Sequence, residues 1–429
     1  MSNAPNRPSG GTPSHAPGLK PPASSAPRTP APARRPTSNP RLQRLASLDA
    51  FRGLAMLLMG AEVLHLCKVA AFFPDDPSWR FACEQQTHVA WRGWSAHDLI
   101  QPAFTFAVGS ALAFSLANRR ARNQTALASH VHAWSRAVVL VVMGIFLRSL
   151  RSDTTQFTFV DTLTQIGLGY GLAFTLACRP VRDQWIALVV ILGAYWGAFA
   201  LYPVPADGFD PTTVGVPADW EYTATGFEAH WNKNTNAASA FDRWFLNLLP
   251  REKPFEYQEG GYQTLNFIPT LGTMLMGLLV GGMIRSGTGS IAILVRLILF
   301  GAACVGAGYS LDHYGFCPLV KRIWTPSFAL FSGGCCAWIL AALYLIVDAL
   351  RLRFLAFPLI VIGMNSIVMY WMNWTMDDFV LRAFRTHVGP DFSTAFGTEY
   401  ETLVSGGAVL LTYWLIVFWM YRRKILVRI

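Results

Sequence analysis

The chain has 429 residues, 52% of them hydrophobic and only 14% charged, with a mean hydropathy of +0.32. Lys plus Arg is 35 against 25 for Asp plus Glu, so the formal net charge is +10. About a quarter of the residues in an ordinary soluble domain are charged, so this composition excludes a soluble enzyme, a disordered chain and a disulfide scaffold. It points to an all-α, polytopic membrane bundle in contact with a lipid bilayer. The basic excess is dispersed among apolar runs, as at membrane flanks, and implies no nucleic-acid partner.

Residues 1–40 hold 11 of the 26 prolines, five basic residues, no acid and no aliphatic run. Such a segment buries too little apolar surface to fold, and it lacks the apolar stretch of a secretory signal. It is expected to be a disordered, Pro-rich cytoplasmic tail, with residues 41–429 forming the membrane domain. A bilayer crossing takes about 20 mainly apolar residues. Ten segments qualify, near 48–72, 97–117, 134–150, 159–178, 184–203, 265–285, 289–310, 326–347, 356–374 and 403–421. Ten crossings place both termini on one side. With the N-terminus inside, 13 Lys and Arg fall in the short inner loops and C-terminal tail, against 8 in the short outer loops. That bias predicts cytoplasmic termini. The segments 73–96 and 204–264 are then extracytoplasmic. The second is polar and Trp-rich, and its aromatic rings and Asn232, Asn234 and Asn236 suit either sugar stacking or contact with the bilayer surface.

Seven cysteines are scattered without a CxxC spacing, so neither a metal site nor a disulfide framework is expected, and no metal is assigned. Cys83 and Cys317 both fall in outer loops, where pairing is open to them. No P-loop, GxSxG, HExxH or dinucleotide-binding fingerprint occurs.

Ionisable groups within a membrane segment need a reason. Asp49 and Arg52 share a helix face, either as a self-neutralising pair or as an anion-facing Arg oriented by its Asp. Glu62, His65 and Lys68 recur every three residues toward the outer end of the first segment. In THVAWRGWSAHDLIQP, His88 lies just outside the second segment, Trp91 and Trp94 suit a membrane interface, and Asp98 enters the span. A His at such a mouth is a general base if an acid orients it, and Asp98 is placed to orient His88 or His97. The plainer reading is an exposed loop histidine. Asp161 and Gln165 share a helix face, and Asn266 and Asn365 sit in apolar helices, where amides also join helices together. Gly277, Gly281 and Gly282 suit close helix contact.

Taken together, SLDAFRG at 47–53, H-x-x-W-x-G at 88–93, DLIQPAFTFAVGSALAFSL at 98–116, the segment 264–282 and GMNS at 363–366 resemble the heparan-alpha-glucosaminide N-acetyltransferase family of transmembrane acyltransferases. The resemblance spans about residues 41–375 and is to a bacterial-type member without the ectodomain of the eukaryotic relatives. It implies a bundle of about ten helices with a central tunnel. It implies transfer of an acetyl group from acetyl-CoA, as co-substrate, to a sugar or glycan across the plasma membrane. His88 takes the place of the catalytic residue and Asp98 that of the acid opening the second span. The Asn that eukaryotic members carry late in span one aligns with Val63, and the neighbouring Glu62 offers a polar group in its stead. On this reading His88 deprotonates the acceptor or carries the acetyl group itself. Arg52 and the 119–122 cluster face the donor's phosphates, and Asn266 and Asn365 donate to the thioester oxygen. A homodimer through Gly-rich faces is open. The rival expectation is a proton-coupled transporter or flippase using Glu62, His65 and Asp161.

Overall fold

The computed structural model describes residues 45–427. The tail expected at 1–40 lies outside them, as does Arg428 of the inner charge count. In chain order the helices are α1 (Ala46–Gly60), α2 (Leu66–Ala70), α3 (Pro77–Gln86), α4 (Ile100–Ala121), α5 (Ala126–Ser149), α6 (Thr162–Ala177), α7 (Val181–Ala200) and α8 (Ala237–Phe245). There follow α9 (Phe267–Arg285), α10 (Ser290–His313), α11 (Pro326–Tyr344), α12 (Phe357–Met364), α13 (Ser366–Thr375), α14 (Asp377–His387) and α15 (Glu401–Arg422). Among the described residues there is no strand, only an isolated antiparallel bridge between Arg92 and Val320. The chain is an all-α, multi-pass integral membrane protein.

Among the described residues, seven helices are long and apolar enough to cross a membrane: those over His97–Ala121, Ala126–Ser149, Val181–Ala200, Thr264–Arg285, Ser290–His313, Pro326–Ala349 and Thr398–Arg422. The other three expected crossings are helical but short or broken. The first ends as an α-helix at Gly60, runs through a 3-10 turn over Ala61–Leu64 and reverses at His65, whose φ is 46°. Glu62, His65 and Lys68, which recur every three residues, are all exposed, and the left-handed His65 takes them off a single helix face. At 1.5 Å per residue, the 16 residues of α6 reach about 24 Å. The segment 356–374 breaks at Asn365, whose φ of −128° interrupts the helical run between α12 and α13.

At the centre stands α9, where every residue from Pro269 to Gly281 is buried. A helix apolar on all sides belongs inside a bundle. Its glycines set how closely α4 approaches. A Cβ at Gly277 would strike the Phe106 carbonyl, and one at Gly109 would strike the Met274 carbonyl, so both glycines are there for backbone contact. Ser110 Oγ adds a hydrogen bond of 3.0 Å to the Gly277 carbonyl. Helices α5, α7 and α10 instead expose apolar residues such as Val142, Val189 and Leu299, the surface a bilayer covers.

The segment 204–264 folds as a cap rather than a loose loop. Trp231, Ala238, Cys317, Val320 and Ile323 pack with Trp91, Tyr195 and Phe199 in one buried cluster. Trp91 is thus a core residue, 3% exposed, with its indole N–H on the Trp231 carbonyl at 3.2 Å, and not the interfacial anchor its position suggests. The three asparagines are spent on the cap itself. Asn232 pairs with both backbone groups of Ala224, Asn234 donates to Val214 and Gln258, and Asn236 caps α8 through Ser239 N.

Candidate active site

The site assembles where α1 ends, α4 begins and the 314–325 turn comes down beside them. Two local devices place its residues. Gln86, the last residue of α3, clamps the turn after α1: its Oε1 accepts from Leu66 N at 2.7 Å and its Nε2 donates to the Ala61 carbonyl at 2.6 Å. A disulfide between Cys67 and Cys83 ties α2 to α3 beside this clamp. The pairing corrects the Cys83–Cys317 possibility, since Cys317 is buried and accepts a hydrogen bond from Ser327 Oγ at 3.6 Å. The second device is Asp98, fully buried at the mouth of α4. Its Oδ2 accepts from Ser95 N at 3.0 Å, Ser95 Oγ at 3.1 Å and Val89 N at 3.3 Å. With one oxygen fixed by three donors, the other is aimed.

That other oxygen, Oδ1, lies 2.7 Å from His88 Nδ1. With its Nδ1–H donated to that carboxylate, neutral His88 keeps its lone pair on Nε2, the nitrogen a general base uses, and the Lys321 ammonium lies 3.2 Å from it. Lys321 completes the group. Its ammonium is 3.4 Å from Asp98 Oδ1, and 3.1 Å and 3.2 Å from the two nitrogens of His88. It also reaches Tyr262 Oη at 3.4 Å, and Lys321 is only 4% exposed. Burial pushes the His88 imidazole below its ordinary pKa, with Lys321 and His97 acting the same way and Asp98 opposing. Neutral His88 is the form at pH 7.

A second imidazole faces the first. The ring centroids of His88 and His97 are 4.4 Å apart, and His97 Nε2 lies 2.7 Å from Glu62 Oε1. Glu62, His88 and His97 offer ligand atoms within 4.8 Å of one another, a donor set of the zinc type. The Lys321 ammonium already supplies a positive charge beside them, which opposes a second cation, and no metal is assigned.

Of the residues singled out from the sequence, the fold brings together His88, Asp98 and Glu62. It does not bring Asn365 there. That side chain is at the opposite end of α1, donating to the Ile425 carbonyl and accepting from Val427 N, each at 3.1 Å. Arg52 is likewise away from His88, bonded to Asp49 and to the Gly363 carbonyl. Asn266 comes near, but its amide donates to the Arg322 carbonyl at 2.8 Å and its oxygen accepts from Tyr195 Oη at 3.4 Å. It is a brace under the 321–322 turn. Asp161 caps α6 through Leu163 N and Thr164 N at 3.0 Å and 3.1 Å and accepts from Thr164 Oγ1, so its oxygens are committed to its own helix. Arg119 lies in the last turn of α4, its guanidinium 5.9 Å from the centre of the Phe174 ring.

Two site residues escaped the sequence reading. His97 was considered only as a possible partner of Asp98, and its carboxylate is Glu62, 35 positions away. Lys321 counted only as a loop charge. The signal available for it was its setting in CPLVKRIW, a cation among apolar residues that all prove buried.

No protein-family model matches the chain. Curated proteins do. Over 378 residues it is 26% identical to heparan-alpha-glucosaminide N-acetyltransferase of Homo sapiens, an alignment covering 76% of this chain and 52% of that protein. The Mus musculus protein of the same name is 24% identical over 376 residues, with 76% and 53% covered. The chain is similar to the heparan-alpha-glucosaminide N-acetyltransferases over three quarters of its length. It spans about half the length of these curated relatives.

Proposed function

We propose that this membrane protein is an acetyltransferase that moves an acetyl group from cytoplasmic acetyl-CoA to an extracytoplasmic sugar or glycan. The observation that carries the reading is the aimed pair: Asp98, immobilised by Ser95 and Val89, holding His88 Nδ1 at 2.7 Å. In the reaction His88 Nε2 removes a proton from the acceptor amine or hydroxyl as that atom attacks the thioester carbonyl carbon. The buried Lys321 ammonium, 3.2 Å from His88 Nε2, is the positive group that would stabilise the oxyanion as it forms.

Two features support the sidedness. The Cys67–Cys83 disulfide lies at the His88 end, and disulfides persist in oxidising, extracytoplasmic compartments. Arg119, Arg120, Arg285 and Arg422 close α4, α9 and α15 at the other end, as a cytoplasmic face requires. That basic end is also where a donor bearing phosphates would dock.

The test is acetyl transfer in sealed proteoliposomes with labelled acetyl-CoA and a panel of amino sugars and glycans, comparing wild type with His88→Ala. Labelled product and free CoA from wild type, absent in the variant, are the expected result. Wild type that neither binds acetyl-CoA nor transfers from it overturns the reading.

A further inference from the structure

The mouth of α4 holds two histidine–carboxylate pairs, and they are wired oppositely. His88 uses Nδ1 for Asp98, so Nε2 is its working nitrogen, whereas His97 uses Nε2 for Glu62, so Nδ1 is its working nitrogen. The rings meet at 4.4 Å with 49° between their planes. Neither pair is accidental in its placement. Glu62 is fixed in the 3-10 turn that Gln86 clamps, and His97 opens the 3-10 turn His97–Leu99 that leads into α4.

The charges around the two rings differ. The carboxylate of His88 is shared with the Lys321 ammonium, so the surroundings of that ring sum to zero. His97 has a carboxylate with no cation bonded to it. The ammonium against His88 disfavours a second positive charge on that ring, while the partner of His97 is the Glu62 carboxylate. Exposure agrees with a division of work. The His97 side chain is 6% exposed, but its partner Glu62 is 57% exposed and connects it to water.

We propose, resting on the acetyltransferase reading above, that His97 held by Glu62 is a second catalytic residue, the acid that protonates the departing thiolate. The acceptor N–H or O–H proton goes to His88 Nε2 as the new bond to the acetyl carbon forms. The carbon–sulfur bond breaks with its electron pair on sulfur, which takes the proton from His97 Nδ1. CoA leaves as the thiol. His88 is then the imidazolium and His97 is neutral. One proton passed from His88 to His97 through a water beside the exposed Glu62 restores both, and no proton is gained or lost overall.

The experiment varies the leaving group. Wild type, His88→Gln, His97→Gln and Glu62→Gln are compared with acetyl-CoA and with the thioacetate of nitrothiophenol, whose thiolate needs no proton to depart. His97→Gln is expected to lower kcat about 10²-fold with acetyl-CoA, a usual worth of general acid catalysis, and to leave it unchanged with the activated thioester. Glu62→Gln, at an exposed position, repeats the pattern more weakly and covers the case of a His97 variant that fails to fold. His88→Gln loses rate with both donors. Equal losses with both donors for His97→Gln and Glu62→Gln make the second pair structural and overturn this proposal alone. A wild type that transfers from neither donor overturns the acetyltransferase reading as well.

Discussion

Replacing Asp98 by Asn tests the aimed pair with little change in shape. One oxygen of Asp98 meets three donors, from Ser95 N, Ser95 Oγ and Val89 N, so the amide must turn its oxygen there and present its NH2 to His88 and Lys321. Nδ1 of His88 then becomes an acceptor and the ring proton moves to Nε2, the nitrogen that has to be bare. Enforcing the wrong tautomer costs about 10³- to 10⁴-fold in kcat, about 4 to 5.5 kcal/mol of barrier. The exchange also strips the buried Lys321 ammonium of its carboxylate, 3.4 Å away, which costs about 3 to 5 kcal/mol of stability. The two effects separate in a cycle. Adding Lys321→Met to Asp98→Asn removes the unpaired charge, so the thermal midpoint in detergent recovers while kcat does not. The assay is single-turnover acetyl transfer alongside the thermal midpoint of each variant. A kcat for Asp98→Asn within tenfold of wild type, or a loss carried wholly by KM, refutes the reasoning.

Three further outcomes follow from the same geometry. Neutral His88 is the active form and burial lowers its pKa, so activity is lost only as pH falls through a value below the ordinary 6.5; Lys321 pushes the same way, and Lys321→Gln is expected to move the acid limb of kcat/KM to higher pH. Reducing the Cys67–Cys83 bond, or replacing both by Ser, frees a loop with a sequence separation of 16 and is expected to cost about 3 kcal/mol, read as a lower thermal midpoint under reductant. Gly109→Ala and Gly277→Ala press a Cβ into backbone carbonyls across the α4–α9 contact and are each expected to cost about 1 to 3 kcal/mol, while Gly282→Ala, which faces open space, leaves the midpoint unchanged.

The sequence by itself determined the membrane bundle, because apolar runs of bilayer length with few charges have no other stable home. Of the three glycines expected at a close helix contact, Gly277 and Gly281 meet the α4 backbone and Gly282 faces open space, and of the two histidines left open as partners of Asp98 it is His88 that pairs with it. Tertiary structure decided what the remaining polar residues do. Hydropathy does not register the reversal at His65 or the break at Asn365, since both are backbone events inside apolar stretches, and so three of the ten expected crossings are short or interrupted. The asparagines of the cap, Asn266 and Asn365 read as available amides in sequence, but a buried amide is taken up by whichever backbone group lies nearest in space. Glu62 and His97 are 35 positions apart, and Lys321 lies 233 from His88. Only the packing of α1, α4 and the 314–325 turn brings them within hydrogen-bond distance, and with them the second imidazole pair.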